Sequence, residues 1–149
     1  MEKSQFTNFV DKFYSQAKEE KWIPIYNKQL DYFTWNKPKL SKDARLVKIT
    51  NCEYFLVSPK SKIEGLAIEY LRTNFMKHNE GIENVVMPEF KKLISDQEYT
   101  VASNRLDKLD GFLQAIRADI WREMGKDKEK TTKEKITELD NLIKVAIKV

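Results

Sequence analysis

The chain has 149 residues, 41% of them apolar and 34% charged, which fits one soluble domain or two small domains that share a core. Its one cysteine and one histidine exclude an intrachain disulfide and a zinc site built from thiolates and imidazoles, and they favour the reducing cytoplasm. No window approaches the roughly 18 uncharged residues that a membrane span requires, so we expect no membrane partner.

The first part of the chain predicts a helix followed by a small antiparallel sheet. Apolar residues between Phe6 and Ala17 recur at intervals of three and four, which predicts an amphipathic helix over about residues 4–21. Runs rich in β-branched and aromatic residues follow, separated by short polar segments, and they predict a sheet of four antiparallel strands. These runs are 22–26, 30–35, 44–50 and 53–58.

Residues 62–78 fit two different structures. Ser61 and Glu64 have the spacing of a helix capping box, and the apolar residues that follow recur at helical intervals, which favours a second helix over 62–78. Some of the same apolar residues also alternate along the chain, so a fifth strand is the alternative. The alternating residues are Leu66, Ile68 and Tyr70.

The C-terminal part predicts a long helical hairpin. Ser95 and Glu98 repeat the capping-box spacing, and apolar residues from Tyr99 onward step by three and four, which predicts one long helix that ends at Gly125. A charged loop follows, and a last helix then carries apolar residues as far as Val149. Two such helices joined by a short loop are typical of an antiparallel hairpin.

The predicted fold class is therefore α+β: a small antiparallel sheet with an N-terminal helix, followed by a long C-terminal helical hairpin. Residues 1–81 would contain the first helix, the sheet and the second helix, and residues 82–149 would contain the hairpin. Because both parts would share the same core, we expect one domain.

Each of the familiar combinations of catalytic residues lacks at least one member in this chain. Any Ser-His-Asp or Cys-His arrangement would depend on His78, and no glycine-rich phosphate loop is present. Asp119 and Glu123 fall on one helix face and could hold magnesium in principle, but acidic residues beside an apolar seam are ordinarily solvated and paired. We therefore expect a protein that is not an enzyme and that has no metal or cofactor.

A basic segment is the first feature that could carry a binding function. Residues 37–62 hold seven basic and two acidic side chains, a net charge of +5, whereas the whole chain has +4. Phosphates attract such clusters, and an exposed aromatic ring can stack on an unpaired base. A solvated loop and a buried ring would explain the same residues. The candidate nucleic-acid-binding residues are Trp35, Lys37, Lys39, Lys42, Arg45 and Lys48.

The last helix is the second such feature, because its apolar residues point in nearly every direction around the axis. A helix of this kind needs two neighbours, and the second could be the sheet, another copy of the chain or a different protein. The candidate interaction residues are Leu142, Val145, Ile147 and Val149.

These features favour a cytoplasmic interaction or regulatory protein that binds another protein, or a second copy of itself as a homodimer, through its helical hairpin. Nucleic-acid binding through the basic-aromatic segment 35–48 is the alternative function.

Overall fold

A seven-stranded antiparallel sheet forms the centre of the structure, a computed structural model that describes residues 5–124 and 132–145. The strands are β1 (Ile23–Asn27), β2 (Tyr32–Asn36), β3 (Arg45–Lys48), β4 (Glu53–Val57), β5 (Ile63–Glu69), β6 (Phe90–Ser95) and β7 (Glu98–Val101). Their order across the sheet is β3-β4-β5-β2-β1-β7-β6, and each neighbouring pair is antiparallel. The four strand runs predicted from the sequence became β1 to β4.

The described ranges also contain five α-helices. They are α1 (Gln5–Glu19), α2 (Met76–His78), α3 (Ile82–Val86), α4 (Asp110–Met124) and α5 (Thr132–Val145). A π-helical turn precedes α2, a short 3-10 helix follows α3, and a longer 3-10 helix, Ser103–Leu109, leads into α4. Among these described helices, none is long and apolar enough to cross a membrane.

The predicted fold class is wrong in the size of the sheet and in the C-terminal hairpin. Residues predicted as the start of a long helix form the end of β6, the turn after it and β7, and α4 begins only at Asp110. Ser95 Oγ does contact Glu98, donating to Oε1 at 2.5 Å, but this bond closes a turn between strands. β7 pairs with the otherwise free edge of β1, as Tyr99 opposite Tyr26 illustrates. The helix α5 makes its main helix contact with α1, so no long hairpin forms.

The predicted helix over 62–78 is also wrong in its first half, which forms β5 between β4 and β2. Ser61 lies in the turn before β5 with a φ of 64°, and so does not begin a helix. The Glu64 carboxylate accepts hydrogen bonds from Ser41 in the loop before β3. A partner distant in sequence therefore takes the carboxylate that a capping box would have used.

Gly65 is required for the close pairing of β5 with β2. A Cβ atom at this position would lie 2.0 Å from Oδ1 of Asn36, the residue directly opposite on β2. Because real atoms do not approach so closely, any larger residue would displace the Asn36 side chain.

One aspartate connects the β1–β2 turn to the helical turn before α2. The Asp31 carboxylate accepts hydrogen bonds from the Tyr26 hydroxyl at 2.7 Å, from the Arg72 backbone N–H at 2.9 Å and from the Thr73 hydroxyl at 2.8 Å. Burial alone would raise the pKa of Asp31, but these hydrogen bonds outweigh it and lower that pKa. Asp31 therefore stabilises this junction as a charged group.

The core is a cluster of aromatic rings between the sheet and the helices. The ring centroid of Phe112 on α4 lies 5.1 Å from that of Phe33 and 5.7 Å from that of Phe75. On α1, the Phe9 ring lies 4.5 Å from Phe55. The strand registers place Phe33 and Phe55 on one face of the sheet, so α1 and α4 cover the same face.

Replacing Phe112 by alanine should lower the free energy of unfolding by about 3–5 kcal/mol, because its fully buried ring contacts three other aromatic rings. Urea denaturation of the variant measures this change. Gln114→Ala, at an exposed position of the same helix, is the matched control and should change stability little. Equal effects of the two substitutions would contradict this account of the core.

Candidate functional site

The basic-aromatic segment predicted from the sequence lies on β2, on β3 and in the loop between them. Trp35 is only 4% exposed, and its Nε1–H donates to the Trp22 backbone carbonyl at 3.2 Å. Its ring belongs to the core, and too little of it is exposed for a nucleic-acid base to stack on it. The basic members of the segment are nearer to solvent: Lys37 is half-buried, and Lys39, Lys42, Arg45 and Lys48 are exposed.

Glu64 holds the basic loop in place. Its two carboxylate oxygens accept hydrogen bonds from the Ser41 backbone N–H at 2.8 Å and from the Ser41 hydroxyl at 2.5 Å. Its backbone carbonyl also accepts a hydrogen bond from the Lys37 N–H at 2.8 Å. These bonds attach the loop to β5, so Lys39 and Lys42 are presented on an ordered segment.

Of the candidate interaction residues, Leu142 lies on α5 and is 50% exposed. Val145 is the last residue of that helix. Ile147 and Val149 lie outside the described residues. The structure thus brings one of these four side chains to a surface that it describes.

An apolar groove of about 610 Å³ opens beside the end of α1, the start of β1 and the 3-10 helix before α4. We call it the tryptophan groove. Its apolar lining comes from four different parts of the chain: Trp22, Pro24, Trp35, Val101, Leu106 and Leu113. Sequence analysis gave a buried ring as the alternative explanation of Trp35, and periodicity alone carries no signal that the core is open here.

Hydrogen bonds inside the protein occupy the polar atoms at the floor of the tryptophan groove. The Thr100 hydroxyl donates to the Pro24 carbonyl at 2.5 Å, and Trp22 Nε1–H donates to Glu20 Oε1 at 2.8 Å. The bond from Trp35 Nε1–H to the Trp22 backbone carbonyl holds the Trp35 indole against the backbone that precedes β1. The groove is therefore a preformed apolar surface, and the polar atoms at its floor need no hydrogen-bond partner from a ligand.

Lysines dominate the rim of the tryptophan groove. Lys18 and Lys21 come from the end of α1, Lys92 comes from β6, and Asp107 is the acidic residue of the lining. Lys18 is paired with Asp110, its Nζ lying 3.2 Å from Oδ1. Three lysines thus face two aspartates, which leaves a net charge of +1 at the rim.

Lys21, in the turn two residues after the end of α1, has a left-handed backbone with a φ of 55°. Its N–H donates to the Lys18 carbonyl at 3.3 Å, and the following Trp22 N–H donates to the Ala17 carbonyl at 2.9 Å. This pair of bonds is typical of a helix terminus at which glycine is preferred. The turn directs Trp22 under the helix and Lys21 to the rim.

A second feature is a buried pair of carboxyl groups between the sheet and α4. Glu53 at the start of β4 is 4% exposed and Asp119 on α4 is 6% exposed. Glu53 is hydrogen-bonded to Asp119, which is also paired with Arg122. Burial first, and then the hydrogen bond and negative charge of Asp119, raise the pKa of Glu53 to about 10. Glu53 is therefore protonated at neutral pH and donates to Asp119.

Sequence analysis grouped Asp119 with Glu123 but treated both as solvated, and it missed Glu53. A signal was present: Glu53 is two residues before Phe55 on a predicted strand, so the two side chains share the core face. Nothing local to Glu53 showed that the group above it would be another carboxyl.

The carboxyl pair borders a cleft of about 220 Å³ that Cys52, Asn74, His78 and Glu123 also line. Burial, and then the nearby negative charge of Glu69, raise the pKa of Cys52, so its thiol stays neutral. The Asn74 amide donates to Cys52 Sγ at 3.5 Å, and the Asn74 carbonyl lies 2.8 Å from His78 Nδ1. A neutral thiol among carboxyl groups does not form an activated nucleophile. We call this cleft the acidic cleft.

No protein-family model, curated protein or solved structure matches this chain. The candidate sites therefore rest on the geometry of the chain itself.

Replacing Glu53 by glutamine should stabilise the protein at neutral and alkaline pH. The raised pKa means that folding takes up a proton between about pH 4.5 and 10, so unfolding becomes easier by up to about 1.4 kcal/mol per pH unit as pH rises. Glutamine donates to Asp119 without that proton uptake. We expect the variant to gain about 1–3 kcal/mol over the native chain near pH 8, and less near pH 5.

Urea denaturation across this pH range measures the difference, with Glu19→Gln at an exposed position of α1 as the control. A Glu53→Gln variant that is less stable than the native chain at every pH would show that Glu53 is charged in the folded state.

Proposed function

We propose that the protein is a non-enzymatic binding protein that holds an amphipathic anion, an apolar chain with a carboxylate head group, in the tryptophan groove. The observation that carries this proposal is the groove itself: an apolar floor with its polar atoms already bonded, below a rim that contains Lys18, Lys21 and Lys92.

The size and chemistry of the groove suit a small apolar ligand. A volume of about 610 Å³ lies within the range of roughly 300–1,000 Å³ that is typical of small-molecule sites. The indoles of Trp22 and Trp35 are held by hydrogen bonds before any ligand arrives, so binding costs little side-chain entropy. Apolar groups of the ligand would cover the floor and gain free energy from their removal from water.

The charge at the rim selects the head group. Lys18 already has a partner in Asp110, which leaves Lys21 and Lys92 to face an incoming anion near Asp107. A carboxylate placed at the mouth would accept charge-assisted hydrogen bonds from these ammonium groups. A cationic ligand would meet two lysines there and would be disfavoured.

This proposal keeps the non-enzymatic class expected from the sequence and changes the surface that makes the contact. The hairpin that was expected to bind a partner does not form as predicted, whereas the tryptophan groove is assembled from α1, β1, β7 and the segment before α4.

Dodecanoate should displace the fluorescent anion anilinonaphthalene sulfonate from the protein. Lys92→Glu and Lys21→Gly should each weaken dodecanoate binding several-fold, and the two together by about tenfold, because each removes a rim cation. Lys21→Gly is the more informative variant, because glycine is favoured in the left-handed backbone and should not destabilise the fold. Lys28→Glu, in the β1–β2 turn outside the groove, is the charge control.

Dodecanoate that binds equally well to the native chain and to the rim variants, or that leaves the bound dye in place, would refute the groove as its site. Tighter binding of dodecylammonium than of dodecanoate would refute the proposal that the rim of the groove selects an anion.

Nucleic-acid binding by the basic segment is the second candidate function, and one observation favours it. Lys12 on α1 joins Lys37 and Lys62 around a cleft of about 410 Å³ next to the ordered basic loop, so the positive surface extends beyond the segment predicted from the sequence. Glu64 and Glu20 also line this cleft, but Ser41 donates to both carboxylate oxygens of Glu64, and the Trp22 indole donates to Glu20. With Trp35 buried, such binding would depend on phosphate contacts.

If this second function holds, oligonucleotide affinity should fall steeply as salt rises from about 50 mM, because each phosphate contact releases counterions. Lys39→Glu combined with Lys42→Glu should abolish binding. Lys28→Glu combined with Lys77→Glu makes the same change in net charge at the opposite end of β1 and β2, and should preserve most of it. Fluorescence anisotropy with labelled single and double strands measures the affinities. Absence of binding at low salt would eliminate the candidate.

A further inference from the structure

One face of the sheet has no helix packed on it among the described residues. α1 and α4 cover the face that holds Phe33 and Phe55, α5 contacts α1, and α3 contacts α4. The turn before α2 packs Phe75 against Phe112 on that same side. Because side chains alternate along a strand, the residues on either side of Phe33 and Phe55 point to the opposite face, which we call the open face.

The middle of the open face is apolar. An antiparallel sheet with one face in water ordinarily turns polar side chains to that face. Here the strand registers instead align a band of largely apolar side chains across five strands, from β3 to β1. Leu46 at one end of the band is 53% exposed, and its neighbours toward β1 are buried or half-buried. The band consists of Leu46, Leu56, Tyr54, Ala67, Thr34 and Ile25. Contiguous apolar surface of this kind is typical of a protein–protein contact.

The charged residues of the open face balance one another. Lys48 on β3 and Lys92 on β6 lie in one cross-strand row, which passes through Thr34. Glu69 on β5 and Glu98 on β7 lie in the next row, two residues along the strands. Two lysines and two glutamates give this face a net charge of zero, whereas the whole chain has +4.

Hydrogen bonds from neighbouring hydroxyl groups hold both glutamates in place. The Tyr54 hydroxyl donates to Glu69, and Ser95 Oγ donates to Glu98 at 2.5 Å. Each carboxylate keeps further lone pairs that can accept from an ammonium group. The negative row is therefore ordered before any partner arrives.

We propose that the open face binds a second copy of this chain, so that two sheets pack face to face in a symmetric dimer. A two-fold axis that runs along the rows, between the lysine row and the glutamate row, places the lysine row of each copy over the glutamate row of the other. A strongly acidic or strongly basic partner would gain no such advantage from a face of zero net charge. The inference does not depend on the tryptophan groove, although Lys92 belongs to both surfaces.

The size of the open face suits a weak dimer. Seven strands about 4.8 Å apart, with about five residues of ~3.4 Å along each, cover roughly 500 Å² per copy. Two copies would then bury about 1,000 Å² in total, close to the lower limit for a specific interface. Two sheets with the same twist can stack about 10 Å apart with their strands nearly aligned. We expect a dissociation constant on the order of 10 µM.

Light scattering of the native chain between about 5 and 500 µM tests the proposal, and the mass should rise from one chain to two over this range. Leu46→Glu should weaken the dimer by about tenfold or more, because it introduces charge into the apolar band. Leu30→Glu is the matched control, since Leu30 is 66% exposed in the β1–β2 turn, outside the open face. Both positions are exposed in the single chain, so both variants should fold, which ¹⁵N-resolved NMR spectra report.

Exchange of the charges tests the arrangement of the two rows. A chain with Glu69→Lys and Glu98→Lys, and a second chain with Lys48→Glu and Lys92→Glu, should each dimerise about tenfold more weakly than the native chain. An equimolar mixture of the two should regain the mass of a dimer, because opposite charges then face each other. No dodecanoate is present, so the result is independent of the function proposed for the groove.

The mass of a single chain at about 500 µM would overturn the proposal, in favour of a different cover for the open face. Equal dimerisation of Leu46→Glu and Leu30→Glu would place the contact on another surface and overturn it as well. Failure of the mixed charge variants to associate, when each is folded, would overturn the two-fold arrangement of the rows.

Discussion

The contact of Phe112 with the aromatic rings of the sheet positions both candidate sites. Its ring contacts Phe33 and Trp35 on β2, and this determines how α4 lies across the sheet. The next residue, Leu113, then reaches the tryptophan groove. Asp119 lies seven residues after Phe112, two helical turns along the same face, above Glu53. A rotation of α4 about its own axis would both open the tryptophan groove and separate Glu53 from Asp119.

The two sites differ in the environment that the protein gives to their polar groups. In the tryptophan groove, Thr100 and both indoles bond to the protein itself, so the exposed surface is apolar and stable without a ligand. In the acidic cleft, burial of Glu53 beside Asp119 costs free energy at neutral pH that well-packed apolar residues would not cost. Such perturbed carboxyl groups in a cleft are typical of functional sites, which retain them despite that cost.

Two capping-box spacings illustrate why local signals misled the prediction of the fold. Ser61 with Glu64 and Ser95 with Glu98 both lie at β-hairpins. In the second pair the serine does bond to the glutamate, and in the first the glutamate bonds to Ser41 instead. A serine followed three residues later by a glutamate can close a strand turn as well as a helix start, and only the neighbouring strand distinguishes the two.

The sequence by itself determined the first four strands and most of the apolar residues that form the core. Phe33 and Trp35 alternate on a short run bounded by polar residues, and this pattern depends only on side-chain spacing along one segment. Tertiary structure decided that β5 and β7 are strands, because their hydrogen bonds go to edges of β2 and β1 that lie far away in sequence. It also decided the burial of Glu53, since the carboxyl above it comes from Asp119 on α4, and spacing along one segment carries no information about such distant partners.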